Sequence, residues 1–172
     1  MQKHYKFIYS NLSTSKLYFV DLKHSKVNNK YVYQFVDSNI IRLEDYLTKN
    51  NLHPNRSNTS QIITFTNIKR QSNLFRLLKG EFTPLKFFNS QDFNLEEGLF
   101  TVRDLIIGDD LKFTSPFYQK KIVASFDRLD EGLNDITRGD NCILLSLTYL
   151  IAAIAKSKSA SAIGTVSLNM GF

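Results

Sequence analysis

Positions 142–155 are fourteen consecutive residues in which only Ser146 and Thr148 carry a polar side chain, and a folded chain cannot leave such a run in water. As a helix the run spans about 21 Å, short of the roughly 20 residues that a bilayer crossing takes. It predicts a buried core helix and no transmembrane span. Cys142, at its start, is the only cysteine. With no partner in the chain it reads as a small buried hydrophobe, which fits an intracellular, reducing compartment. Beyond Lys156-Ser157-Lys158-Ser159, positions 162–172 alternate Val166 and Leu168 with Ser167 and Asn169, as in a terminal strand.

The opening of the chain carries a different period. Tyr5, Phe7 and Tyr9 alternate with Lys6 and Ile8, a second aromatic strand follows at 17–21, and Tyr31, Tyr33 and Phe35 alternate with Val32, Gln34 and Val36. Asn28-Asn29 suits the hairpin between the second and third, giving an antiparallel meander. Ser38 reads as an N-cap for a helix over 39–50, stopped by Asn50-Asn51. A loop at 52–60, a β-branched strand at 61–68 and a helix over 69–79 ending at Gly80 come next. Positions 81–98 read as a packed connection, 99–107 and 120–126 as strands, and 127–136 as a short helix. The fold class is α+β: an N-terminal antiparallel sheet with two helices, packed against a smaller apolar C-terminal part.

Charge divides the chain near the same place. Residues 1–90 hold 14 Lys and Arg against 5 Asp and Glu, and residues 91–172 hold 8 against 11. A basic, aromatic-rich lobe at 1–90 would attract polyanions over about a Debye length, while a mildly acidic lobe at 91–172 would not. The soft boundary also allows one continuous domain. Residues 1–20 are too interrupted by polar residues for a signal-peptide core. The lean towards Asn, Lys, Ile, Phe and Tyr matches AT-rich coding, as in organelles and viruses.

The segment 69–79 is the best candidate for contacting a polyanion, because on a helix Lys69, Arg76 and Lys79 fall on one stripe with Arg70 beside it. Leu74, Phe75, Leu77 and Leu78 would face the core. Lys6, Lys16 and Lys30 add charge beside Tyr31, Tyr33 and Phe35, a set that suits either base stacking or an aromatic core face. The core face is the expectation, because the RNA-recognition octapeptide and any Gly-x-x-Gly clamp are missing.

Asp127, Glu131 and Asp135 recur every four residues and would share a helical face, where they would hold Mg²⁺ or serve as a solvated acidic surface; the surface is expected. His4, His24 and His53 lack zinc-ligand spacing. Neither a nucleophile elbow nor a phosphate-binding glycine loop is present, so no cofactor is expected. These readings favour a non-enzymatic, RNA- or nucleoprotein-associated structural component of a larger assembly, organellar or viral. It would meet RNA or single-stranded nucleic acid through the basic half and protein partners through the apolar end. The alternatives are a protein-interaction subunit without nucleic acid and a Mg-dependent phosphodiesterase built on the three carboxylates.

Overall fold

The computed structural model of the chain describes residues 2–48, 62–129 and 132–169. Strands β1 (Lys3–Asn11), β2 (Lys16–Val27) and β3 (Lys30–Arg42) form the expected antiparallel meander. Asn28 and Asn29 turn the second hairpin with φ of 51° and 62°. Asparagine tolerates this left-handed region better than most residues, and two such residues in succession match the right-handed twist of the strands they join.

Three further strands pair in parallel: β4 (Ile62–Thr66) beside β1, β5 (Leu85–Phe87) beside β4, and β6 (Leu111–Phe113) beside β3. The result is a six-stranded mixed sheet ordered β5-β4-β1-β2-β3-β6. With helices α1 (Leu43–Leu47), α2 (Asn73–Glu81), α3 (Leu95–Ile107), α4 (Pro116–Arg128) and α5 (Asn141–Asn169), the fold is α+β.

Two aliphatic-rich segments expected as strands are helices. In α3, Leu99 and Val102 are buried three apart, and Asn94 caps the start by accepting a hydrogen bond from the Glu97 N–H (3.1 Å). In α4, Ser115 accepts from the Phe117 N–H (3.2 Å) and Pro116 opens the first turn. The helix expected over 39–50 is also displaced. Strand β3 continues to Arg42, opposite Lys16, because a register shift at Asp21/Leu22 leaves Val36 unmatched and brings Ile41 opposite Leu17. Among the described residues only α1 remains helical there. The terminal strand expected from 162 is instead the continuation of α5 to Asn169. The loop at 52–60, with His53, lies outside the described residues, as does Glu131.

Helices cover both faces of the sheet. On one, Tyr5, Phe7, Tyr18, Val20, Leu22 and Phe35 pack against Leu99 and Val102 of α3, Ile122 of α4 and the 142–154 stretch of α5. On the other, Ile8, Leu17 and Phe19 pack against Tyr46 of α1 and Phe75 and Leu78 of α2. The first core draws on residues from both sides of position 90, so the charge boundary is not a packing boundary. Tyr33 (7% exposed) and Phe35 (0%) belong to this core. Tyr33 and Phe35 therefore belong to a core face as expected, whereas Tyr31 is 41% exposed, and the covering helices are α3–α5 rather than the two N-terminal ones. Among the described residues no helix is long and apolar enough to cross a membrane.

Asn11 ties the end of β1 to the turn that precedes α5. Its Nδ2 donates to the Thr137 carbonyl (2.8 Å), and its Oδ1 accepts from Ser13 Oγ (2.7 Å) and the Ser13 N–H (3.2 Å). Asn11→Ala leaves those groups without partners in a site where Asn11 is 5% exposed, and we expect a loss of about 1–2 kcal/mol by chemical denaturation. A change below about 0.5 kcal/mol would show that the surrounding groups find water instead.

Candidate functional site

Strands β1, β4 and β5 run parallel, and the chain leaves β4 into the turn that carries Lys69 and Arg70. Helix α2 begins only at Asn73, where the Phe75 N–H donates to Ser72 Oγ (3.1 Å) and fixes the first turn. Lys69 and Arg70 are therefore turn residues, which corrects the single helical stripe expected over 69–79. Phe75 and Leu78 are buried as expected, and the helix runs through Gly80 to Glu81.

This turn, α2, strand β5 and α5 border an open cleft of about 890 Å³ at the sheet edge. Four cations line it: Arg70 from the turn, Lys79 from α2, Lys86 from β5 and Lys156 from α5. Among the described residues no carboxylate lines it, and none of the four is ion-paired with one. Four like charges around one open cleft add to its positive potential. The Arg70 guanidinium lies over the Phe87 ring at 5.9 Å, and Asn89 and Ser157 add uncharged polar groups. Strand alternation divides the cations. Leu85 packs with the α1–α2 core, so Lys86, the next residue, points to the α5 side, and the cleft wraps around the edge strand.

The other sequence candidates are spread out. Lys69 and Arg76 are exposed and do not line the cleft. Lys16 is exposed at the start of β2, opposite Asn11. Lys30 is paired with Asp110 at 2.9 Å. Lys6 lies 3.5 Å from Asp21 and 5.2 Å from the Phe82 ring centre. Lys6, Asp21, Asp37, Tyr46 and Glu81 share a polar pocket of about 200 Å³ on the α1–α2 face, where the Tyr46 hydroxyl donates to Glu81. Burial pushes the Asp21 carboxyl above the usual carboxylate range and outweighs the opposing pull of Lys6.

Helix α4 ends at Arg128, and a separate 3-10 turn spans Leu133–Thr137, so Asp127 and Asp135 are not on one helical face. Asp135 pairs with Arg138 at 3.2 Å. Among the described residues no cluster of His, Cys, Asp or Glu could hold a metal ion. Cys142 is buried, with its thiol pushed up by desolvation and donating to the Thr137 carbonyl (3.2 Å).

Of the seven cations singled out from sequence, Arg70 and Lys79 reach the cleft, and sequence reasoning missed Lys86 and Lys156. Lys156 follows the apolar run directly, a visible signal, but nothing local shows that α5 returns to the β5 edge. No protein-family model matches the chain, and neither a curated protein nor a solved structure does.

Proposed function

We propose that the chain is a nucleic-acid-associated, non-enzymatic component of a larger assembly, and that it meets the phosphates of RNA or single-stranded nucleic acid in the cleft at the β5 edge. The observation that supports this reading is the convergence of Arg70, Lys79, Lys86 and Lys156 without an intervening carboxylate. A phosphodiester chain supplies closely spaced negative charges, and each contact displaces condensed counterions, so affinity falls with salt. Four contacts to a single strand give a slope of about −2.8 in log K against log salt.

The test is fluorescence anisotropy with a labelled single-stranded RNA between 50 and 200 mM salt. The triple variant Arg70→Glu, Lys79→Glu, Lys86→Glu should lower affinity by about 30-fold and, with Lys156 alone left, flatten the slope to about −0.7. An unchanged slope removes the cleft from the account.

A second reading, a protein-interaction subunit without nucleic acid, draws on Ile107 (71% exposed) of α3 and Val123 (41%) of α4, which line one groove between the two helices. Apolar side chains grouped on neighbouring helices suit a protein contact. Size-exclusion chromatography before and after nuclease treatment separates the two readings. A nucleic-acid binder elutes with material absorbing at 260 nm that nuclease removes; a protein-interaction subunit does not.

A further inference from the structure

We infer that the β5 edge is a subsite for an unpaired nucleobase, so that the cleft selects single strands over duplex; the inference rests on the nucleic-acid reading above. Strand β5 is the end strand of the sheet, and among the described residues no strand pairs with its outer side. Its bonds to β4 alternate: the Thr64 N–H donates to the Pro84 carbonyl (3.3 Å) and the Phe88 N–H to the Thr66 carbonyl (2.7 Å). In a parallel ladder the residues between such partners face away, so the backbone N–H and C=O groups of Leu85 and Phe87 point outward, into the cleft. They present donor and acceptor groups of the kind that an unpaired base edge satisfies and a base-paired one does not.

The same strand supplies a stacking surface. Phe87 is half-buried, and Arg70 stands over its ring at 5.9 Å. A base held between them needs about 6.8 Å, twice the ~3.4 Å stacking rise of a nucleic-acid strand. Arg70 is exposed, and a shift of about 1 Å at its guanidinium opens the slot. Lys79 lies on the Phe87 side of the edge strand and Lys86 and Lys156 on the other, so phosphates on either side of the seated base meet a cation. The cleft volume of about 890 Å³ leaves room for the flanking nucleotides.

The test compares five probes of matched length on the full chain: single-stranded RNA, an abasic single-stranded DNA, duplex DNA, inorganic polyphosphate and polyglutamate. The RNA should bind about tenfold more tightly than the abasic strand and the duplex. Phe87→Leu, which keeps apolar bulk at the edge, should abolish that advantage without weakening polyphosphate binding, and Phe87→Tyr should restore it. Equal affinity for RNA and abasic strand overturns the base subsite while leaving the phosphate reading in place. Absence of binding to RNA, DNA and polyphosphate alike overturns both. Polyglutamate binding more tightly than any oligonucleotide also overturns both, because the edge would then belong to an acidic peptide strand.

Discussion

Phe7→Ala should lower the free energy of unfolding by about 4 kcal/mol, the middle of the range for a buried aromatic truncated to alanine. Phe7 is 0% exposed near the middle of β1, with its ring 6.1 Å from Phe88 and 5.7 Å from Tyr149. Those two rings lie 5.0 Å apart, and each also contacts Phe93. The void would therefore open at the meeting point of β1, the segment after β5 and α5. Domains of this kind have about 5–15 kcal/mol in total, so the variant would retain little margin. Urea unfolding should show a lower midpoint with unchanged m-value. Because Phe88 also lines the cleft, the proposed function adds that the variant should weaken RNA binding. Phe7→Leu, with less volume lost, should cost about half as much. A loss under about 1 kcal/mol for the alanine variant would mean that the aromatic cluster collapses onto the space.

Gly98→Val should destabilise by about 3 kcal/mol for the opposite reason, overpacking. Gly98 lies in α3 where it crosses α5, and a Cβ there would stand 2.9 Å from Thr148 Cγ2 and closer still to the Phe93 ring. Thr148 is 1% exposed and its hydroxyl donates to the Leu144 carbonyl (2.7 Å), so it has no room to retreat. Alanine at this position gains about 1 kcal/mol of helix propensity against the clash and should lie between the wild type and valine. Circular dichroism melts of the three proteins give the order directly. If valine melts with the wild type, the α3–α5 approach is looser than the geometry requires. Gly80, in α2, is the control: a Cβ there meets nothing within 4 Å, and Gly80→Ala should be neutral or stabilising.

The parts of the fold legible in the sequence were those with strong local signals. Alternating Tyr5, Phe7 and Tyr9, the Asn28-Asn29 turn and the apolar run from Cys142 each specify an element without help from distant residues. Errors fell where two periods coexist. Positions 99–107 contain Val102, Ile106 and Ile107, which favour strands, yet Leu99 and Val102 also satisfy a helical spacing, and packing on α5 decides for the helix. The missed signals at α3 and α4 were the caps Asn94 and Ser115, the latter followed by Pro116. At 39–42, pairing with β2 overrode a helical pattern, and the register shift that permits it depends on both strands at once. The cleft was half visible for a related reason. Arg70 and Lys79 fall in the one segment that reads as a basic helix, whereas Lys86 and Lys156 reach the cleft only through the parallel placement of β5 and the return of α5 across the sheet.

That return has a consequence for biosynthesis. Helix α5 lies about 130 residues after the aromatic face of β1 that it covers. At about 5–20 residues per second, a translating ribosome needs roughly 7–26 seconds to supply the covering helix once β1 is made. Hairpins close within microseconds, so β1–β3 can pair and present their aromatic face well before α5 is made. Folding yield in the cell should then depend on translation speed through the second half and on chaperone supply.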